Sequence, residues 1–250
     1  MATENITYSS VFGYRTVSCR AGFLTEYLSE CIKEDRRCII FALNPNKIIA
    51  AVKDKKTENI LKQADFMIPD GSGIIWASKI LKDPITERIT GIDLMKRICA
   101  AAESEKIPIF IYGASAENLA GAAENLKKEF PGIRISGMCD GYEHDADTVI
   151  SKINDSEAAV LFAALGSPRQ EEFIADSASK MPAVRIMLGV GGSLDVISGS
   201  VKRAPAWMQR HSLEWLYRLI NKPRRILNNR LLSFIIYTLS TKRQMRRKQW

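Results

Sequence analysis

Polar residues and glycines gather where apolar segments of strand length end. Asn44 directly follows the apolar segment 37–43, and Asp70 lies in a Pro-Asp-Gly turn after the shorter segment 66–68. An aspartate on a glycine-flanked turn suits a general base, because small neighbours let a substrate hydroxyl come within hydrogen-bonding distance. The same place also suits an aspartate that caps the following helix. The sequence leaves both roles open for Asp70.

Two glycine-containing turns could hold phosphate groups. Gly113 follows the apolar segment 107–112 and precedes a predicted helix, whose first backbone N–H groups could bind a phosphate. The GxGxxG spacing is absent there, so the turn does not indicate a nicotinamide dinucleotide site. Gly191 and Gly192 lie in a second turn, just before Asp195. Their amides could approach a diphosphate closely, or the glycines could serve only tight packing.

Aromatic and charged side chains follow two further apolar segments. Tyr142 comes after a short segment, where its ring could stack on a nucleobase or lie on the surface. Arg169 and Gln170 begin a predicted helix after segment 158–163, beside Glu171. Three adjacent polar groups at a strand end exceed what a structural junction needs, which points to a substrate site.

Cysteine and histidine usage argues against a metal centre. The five cysteines are odd in number and have no CxxC spacing, and the two histidines, His144 and His211, are far apart. Zinc clusters and disulfide frameworks need regularly spaced ligands. We therefore expect reduced thiols in a cytosolic protein and no metal, and the missing GxGxxG spacing leads us to expect no cofactor either.

The apolar segments do not predict a membrane-spanning protein. Residues 1–10 lack the basic start and apolar run of a signal peptide. A helix that crosses a bilayer needs roughly 20 apolar residues, and the longest candidate, 231–239, is much shorter. We expect the protein to stay on the cytosolic side.

Strand-length and helix-length segments alternate along most of the chain, whose apolar content of 46% is ordinary for a globular protein. We predict strands at 37–43, 66–68, 107–112, 134–137, 158–163 and 184–190. We predict helices at 47–54, 57–64, 72–81, 91–104, 116–130, 145–154 and 168–179. This alternation predicts an α/β fold, with a mostly parallel sheet and helices on both faces. Ligands of such sheets bind at the carboxyl ends of the strands.

Positive charge is concentrated at the C-terminal end. The chain carries a net charge of +8, but Val201–Trp250 contains 13 Lys/Arg against the single acid Glu214. This segment therefore carries +12 and residues 1–200 carry −4. Its apolar residues recur at helical intervals over 207–237, and Pro223 should divide them into two helices. We predict a basic helical appendage whose partner is phosphate, an anionic membrane or nucleic acid.

Five motifs occur together in the order and spacing of a known family. They are PDGSGIIWA from Pro69, ERITGIDL from Glu87, IYGAS from Ile111, GSPRQEEF from Gly166 and GVGGSLDVISGSVKRAPAWMQRHSLEWLYRL from Gly189. In these motifs, over about residues 38–232, the chain resembles the WecG/TagA/CpsF glycosyltransferases. One position departs from the pattern: two residues before Asn44, where the family usually has threonine, this chain has Ala42.

The resemblance implies a Rossmann-like catalytic domain at residues 1–200 and a basic amphipathic appendage at 201–250 for membrane association and active-site closure. It implies an inverting, metal-independent transfer from a UDP-sugar donor to an undecaprenyl-diphosphate-linked GlcNAc acceptor, with N-acetylmannosamine as the expected sugar. The product would enter teichoic acid or another cell-surface polysaccharide. The implied location is peripheral, at an anionic membrane surface on the cytoplasmic face.

Individual site residues also follow from the resemblance. Asp70 matches the catalytic base of the family, and Gln170 matches a polar residue of the active-site pocket. Tyr142 and Asp195 match positions around the uridine. Three arginines of the appendage are expected near the diphosphate: Arg218, Arg224 and Arg225.

The sequence leaves other functions open. The donor could be another UDP-hexose, such as UDP-glucose. A nucleotide-dependent oxidoreductase is disfavoured by the missing GxGxxG spacing, and a nucleic-acid-binding protein would use the basic appendage. The apolar segment 231–239, between basic clusters, favours lipid over nucleic acid. Self-association into a homo-oligomer through exposed apolar surface is a further alternative.

Overall fold

Eight strands form one sheet in the computed structural model, which describes residues 6–210, 213–214, 216–217 and 230–247. In chain order the strands are β1 (Tyr8–Val11), β2 (Tyr14–Val17), β3 (Cys38–Leu43), β4 (Phe66–Pro69), β5 (Ile109–Gly113), β6 (Ile135–Cys139), β7 (Val160–Ala164) and β8 (Ile186–Gly189). Their order across the sheet is β1-β2-β4-β3-β8-β7-β5-β6. The β1–β2 pairing is antiparallel, and the other pairings are parallel.

Helices connect these strands in the alternating manner that the sequence predicts. They are α1 (Ala21–Lys33), α2 (Pro45–Lys53), α3 (Lys55–Leu61), α4 (Ser72–Ile80), α5 (Gly91–Glu105), α6 (Ala116–Glu129), α7 (Ala146–Asp155), α8 (Arg169–Ser177), α9 (Ser193–Ile197), α10 (Ala206–Arg210) and α11 (Arg230–Arg247). A short 3-10 turn, Ala178–Lys180, follows α8.

Helices cover both faces of the sheet, as predicted. Successive residues of a strand point to opposite faces, so Ile40 of β3 packs in the layer of α1, α5 and α6, while Phe41 packs in the layer of α2, α4, α7 and α8. Both side chains are fully buried. The predicted α/β class, with a mostly parallel sheet, is confirmed.

The N-terminal elements were missed by the sequence analysis, which predicts no element before residue 37. Strands β1 and β2 form a short edge hairpin of four residues each, whose serines, threonine and tyrosines give little apolar signal. Helix α1 did carry a signal, because Leu24, Leu28 and Cys31 recur at spacings of four and three and are buried.

The C-terminal helix packs on the body of the protein. Helix α11 contacts α2 and α4, and its Phe234 is 1% exposed. The predicted helical segment 207–237 is present in the described part as α10 and α11, although α11 continues to Arg247. The break expected at Pro223 lies outside the described residues. None of the described helices is long and apolar enough to cross a bilayer.

Candidate active site

The carboxyl ends of the parallel strands bring several predicted residues to one edge of the sheet. Asn44 follows β3, Asp70 follows β4, and Gly191 lies two residues beyond the end of β8. The backbone N–H of Asp70 donates to Leu43 O at 2.9 Å, which joins the ends of β3 and β4. These residues therefore lie on three neighbouring strands in the order β4-β3-β8.

Asp70 lies on a turn that only glycine forms without strain. Gly71 has a φ of +106° and occupies the N-cap position of α4, so Asp70 is one residue outside the cap. Asp70 is half-buried. The segment before α5 runs alongside, because Ile89 N–H donates to Pro69 O at 3.1 Å. The turn thus positions a carboxylate at the edge of the sheet, as a general base requires.

Asn44 has a defined structural role at the start of α2. Its Oδ1 accepts a hydrogen bond from Lys47 N at 3.0 Å, and Pro45 occupies the first helical turn. Contact between Asn44 and substrate stays a prediction. Ala42 is buried on β3 opposite Ile68 of β4.

Gly113 is explained by close packing of two strand ends. Its φ is +113°, and a Cβ at this position would lie 2.7 Å from the carbonyl group of Ala164, at the end of β7. Ser115 then caps α6 by accepting from Asn118 N at 3.2 Å. The predicted phosphate contact at this turn stays a prediction.

Gln170 is buried and supports the turn that contains Gly191. Its side chain is 2% exposed, its Oε1 accepts from Gly191 N at 2.9 Å, and its Nε2 donates to Glu171 Oε1 at 2.7 Å. Gly191 has a φ of +54°. Both heteroatoms of the Gln170 amide are therefore engaged with protein. Its assignment as a catalytic residue in contact with substrate stays a prediction, and so do the diphosphate contacts of Gly191 and Gly192.

A buried ion pair contacts the side chain of Gln170 and was not predicted from the sequence. Lys47 Nζ is 2.7 Å from Glu171 Oε1, and the two side chains are 7% and 1% exposed. A lysine in the first turn of a helix and a glutamate in the first turn of another are common on protein surfaces. The sequence therefore gives no signal that separates this pair from exposed charges.

Tyr142 and Asp195 lie on opposite sides of the first turns of α6. Asp195 Oδ1 accepts from Asn118 Nδ2 at 2.8 Å, on the side of α6 that packs against α9. Tyr142 is exposed and belongs to a groove on the opposite side, where Ala116 and Ala120 of the same helix face β6. The structure does not bring the two predicted uridine contacts against one another. Asn118, which orients Asp195, was also missed by the sequence analysis.

The groove beside Tyr142 has a volume of about 530 Å³. Its floor and walls include Met138, Asp140, Glu143 and Lys152. This volume lies in the usual range for small-molecule pockets, and its lining combines apolar and charged groups. The groove is large enough for a nucleobase.

Arg169 links the end of β7 to the loop that carries Tyr142. Its Nη2 donates to Gly141 O at 3.2 Å and lies 3.2 Å from His144 Nδ1. Arg169 therefore contributes to the shape of this loop, and His144, treated as isolated in the sequence analysis, has a charged neighbour.

A network of four charged side chains joins the C-terminal segment to the body. Arg88 Nη1 is 2.7 Å from Glu214 Oε2, and Arg203 Nε is 3.3 Å from Glu214 Oε1. Arg203 Nη1 also lies 2.8 Å from Asp93 Oδ1, in the first turn of α5. Glu214, the single acid of the basic segment, thus binds this segment to Arg88 of the preceding part of the chain. This role of Glu214 could not be predicted from the sequence.

Other predictions lie partly outside the described residues. Arg218, Arg224 and Arg225 are not among them, so their approach to a diphosphate stays a prediction. The cysteines are free thiols, as expected. Within the described part of the chain, no cluster of three or more His, Cys, Asp or Glu is suited to a metal ion.

Comparison with known proteins identifies the family of this chain. The profile of the glycosyl transferase WecG/TagA/CpsF family matches residues 9–249, a wider range than the motifs suggested. A Bacillus subtilis (strain 168) protein named N-acetylglucosaminyldiphosphoundecaprenol N-acetyl-beta-D-mannosaminyltransferase is 37% identical over 211 residues, which cover 84% of this chain and 81% of that protein.

Two further relatives carry the same name. The Bacillus spizizenii (strain ATCC 23059 / NRRL B-14472 / W23) protein is 38% identical, over 81% of this chain and 79% of the relative. The Staphylococcus aureus (strain MW2) protein is 29% identical, over 80% of this chain and 79% of the relative. With a family profile that spans nearly the whole sequence, this chain belongs to the WecG/TagA/CpsF family of glycosyl transferases.

Proposed function

We propose that this protein transfers N-acetylmannosamine from UDP-N-acetylmannosamine to a GlcNAc residue linked to undecaprenyl diphosphate. The names of its relatives supply the sugar and the acceptor, and they are shared by proteins that align with four-fifths of this chain. The product belongs to a cell-surface polymer such as teichoic acid.

The observation that carries the proposal is the placement of Asp70 and the Gly191 turn on either side of β3. They follow β4 and β8, the two strands that flank β3 in the sheet. Strands in a sheet are about 4.8 Å apart, so these two strand ends are about 10 Å apart. A sugar diphosphate fits between a carboxylate and a set of amides at this separation.

The proposed reaction is a single displacement with inversion. The acceptor hydroxyl loses its proton to the Asp70 carboxylate as its oxygen forms a bond to the anomeric carbon. The bond from that carbon to the diphosphate oxygen breaks at the same time, and UDP leaves with the electron pair. Negative charge then develops on the diphosphate, where the backbone N–H of Gly192 would stabilise it, while the Gly191 N–H stays bonded to Gln170 Oε1.

Remaining parts of the substrate are assigned to the surrounding residues. We assign the uridine to the groove at Tyr142, since Asp195 lies on the other side of α6, where it accepts from Asn118. The three appendage arginines, Arg218, Arg224 and Arg225, are proposed to bind the leaving diphosphate, since arginine pairs well with phosphate oxygens. No metal is needed for this charge stabilisation in the proposed scheme.

Membrane association is proposed to use the outer face of α11. One side of this helix is buried through Phe234 and Thr238, whereas the other exposes apolar residues at helical spacing: Leu232, Ile236 and Leu239. Exposed basic residues follow toward its end: Arg243 and Arg246. Each basic residue near an anionic leaflet contributes about 1 kcal/mol. The protein would bind peripherally at the cytoplasmic face, where its lipid-linked acceptor lies.

The test is release of UDP from a panel of donors by the purified full-length protein. The panel contains UDP-N-acetylmannosamine, UDP-N-acetylglucosamine and UDP-glucose, with a GlcNAc-diphosphate-lipid acceptor in EDTA. We expect acceptor-dependent release from UDP-N-acetylmannosamine alone. Turnover only with UDP-glucose would show a different donor, and loss of turnover in EDTA would contradict the metal-independent scheme.

A further inference from the structure

We propose that the buried pair Lys47–Glu171 is a positioning device that fixes the Gln170 amide and, through it, the Gly191 turn. This inference rests on the proposed function only where it assigns the Gly191 turn to the donor diphosphate. The fixing of Gln170 and of the Gly191 turn follows from the contacts alone.

A continuous chain of hydrogen bonds joins three elements at the strand edge. Asn44 Oδ1 accepts from Lys47 N at 3.0 Å, and Lys47 Nζ lies 2.7 Å from Glu171 Oε1. The same carboxylate oxygen accepts from Gln170 Nε2 at 2.7 Å, and Gln170 Oε1 accepts from Gly191 N at 2.9 Å. The end of β3, the start of α8 and the turn after β8 are thereby fixed relative to one another.

The two hydrogen-bond partners of the Gln170 amide, Glu171 and Gly191, allow only one orientation of this amide. A carboxylate only accepts hydrogen bonds, and the Gly191 N–H only donates. If the amide turned by 180°, its oxygen would face Glu171 and its NH₂ group would face the Gly191 N–H, and both bonds would be lost. Lys47 donates to the oxygen that faces Gln170 and so keeps that oxygen in place.

The backbone of β8 is shaped for this amide. A Cβ on Gly189 would lie 2.7 Å from Gln170 Nε2 and 3.2 Å from its Cδ. Only glycine therefore leaves room for the Gln170 side chain across the end of β8.

Stability alone does not account for the pair. The second carboxylate oxygen, Glu171 Oε2, is buried and has no hydrogen-bond partner among the described residues. Removing two charges from water costs about as much as their attraction returns, and apolar residues of similar volume are often as stable. An ion pair with one unbonded carboxylate oxygen thus adds little to the stability of the fold. It does fix the orientation of the Gln170 amide.

The consequence concerns the donor diphosphate. Gly191 adopts a positive φ. The directions of its carbonyl group and of the Gly192 N–H therefore depend on the hydrogen bond that holds the Gly191 N–H in place. Loss of the pair frees Gln170 and the Gly191 N–H bonded to it, and the Gly192 amide then loses its fixed direction toward the diphosphate. Lys47 and Glu171 are positioning residues in this scheme, since they act through Gln170.

The experiment replaces the pair by apolar residues of similar size in the full-length protein, as the double variant Lys47→Met/Glu171→Met. The matched control is Lys56→Met/Glu172→Met, which removes a pair 3.0 Å apart from α3 and the same helix α8, with side chains 73% and 30% exposed. Amide hydrogen exchange at Gly191 and the Kd of UDP are measured for both, together with the melting temperature. If the double variant does not fold, the isosteric Glu171→Gln variant replaces it.

We expect the buried double variant to melt within a few degrees of the wild type, while Gly191 exchanges at least tenfold faster and the Kd of UDP rises about tenfold. The control should match the wild type in both. Unchanged exchange at Gly191, or an unchanged Kd of UDP, would overturn the inference. Failure of the wild type to turn over UDP-N-acetylmannosamine would instead contradict the proposed function, and the exchange arm would still decide the geometry.

Discussion

At the scale of single residues, the glycines at the carboxyl ends of the strands are needed for different reasons. Gly71 is required by its positive φ, Gly113 by the approach of the Ala164 carbonyl, and Gly189 by the Gln170 side chain. The sequence shows all three as glycines next to strands and cannot separate these causes. Only the atoms that surround each Cα tell them apart.

The Gly189→Ala substitution tests the packing of Gln170. The added methyl group would lie 2.7 Å from Gln170 Nε2, so the amide must move away from Gly191. We expect the KM for the UDP-sugar to rise about tenfold, because about one hydrogen bond to the turn is lost. Gly22→Ala is the control, since a methyl group there meets no atom within 4 Å. Equal KM values for the two variants would contradict this account.

Asp93 gives the molecule a predictable response to acid. Burial opposes its ionisation, but hydrogen bonds from Arg203 and Thr90 outweigh burial and lower the pKa of Asp93 below its usual value. A carboxyl with a lowered pKa in the folded state contributes stability above its unfolded pKa, about 3.9, and loses it as pH falls through the folded value.

We therefore expect the stability difference between wild type and Asp93→Asn to be constant near neutral pH and to shrink below about pH 4. Thermal unfolding of both proteins from pH 3 to pH 7 measures it. A difference that stays constant down to pH 3 would show that the ion pair with Arg203 does not lower the pKa of Asp93.

At the scale of elements, an aromatic cluster contributes to the packing of α11 on the body, beside its contacts with α2. Phe12 lies 5.7 Å from Phe234 and 5.2 Å from Tyr237 between ring centroids, and Trp76 of α4 lies 6.5 Å from Phe234. Phe234 also lies against Gly73, in the first turn of the helix that follows Asp70. The C-terminal helix thus packs close to the turn of the proposed base.

Truncation of Phe234 should loosen this helix. We expect Phe234→Ala to lower the free energy of unfolding by about 3 kcal/mol, since it removes a fully buried ring. Ile236→Ala, on the exposed side of α11, should change it by less than about 0.5 kcal/mol. Urea unfolding followed by circular dichroism measures both. Similar losses for the two variants would mean that α11 is not docked as described.

The sequence predicts the central elements well because their signals are local. Each predicted strand from residue 37 to residue 190 overlaps an observed strand, and Gly-rich or polar turns mark the ends. The edge hairpin β1–β2 was missed because the serines, threonine and tyrosines of its short strands give little apolar signal. Burial of Lys47 and Glu171 could not be predicted either, because it depends on how α2 and α8 meet.

At the scale of the whole molecule, described residues near the start of the basic C-terminal segment and in α11 bind this segment to the body. The Glu214 network attaches its start, and the Phe234 cluster attaches α11. The outer face of α11 keeps Leu232 and Ile236 exposed, at 56% and 59%. An apolar stripe beside basic residues is typical of helices that lie on anionic membranes.

Polar substitution of this stripe should weaken membrane binding without loss of the fold. We expect Leu232→Ser/Ile236→Ser to reduce sedimentation with vesicles that contain anionic lipid by at least tenfold in apparent affinity, while UDP release with a soluble acceptor analogue is unchanged. Val201→Ser, at another exposed apolar position, is the control. Equal sedimentation of all three proteins would place the membrane contact elsewhere, and binding to duplex DNA alone would favour the nucleic-acid alternative.

The most direct test of the whole account compares Asp70→Asn with the wild type in acceptor-dependent UDP release and in UDP binding. Asparagine keeps the size of the side chain but cannot accept the proton of the acceptor hydroxyl. We predict that turnover falls by a factor on the order of 10² to 10⁴ while the Kd of UDP changes less than about threefold. Turnover within about tenfold of the wild type would contradict the assignment of Asp70 as the base.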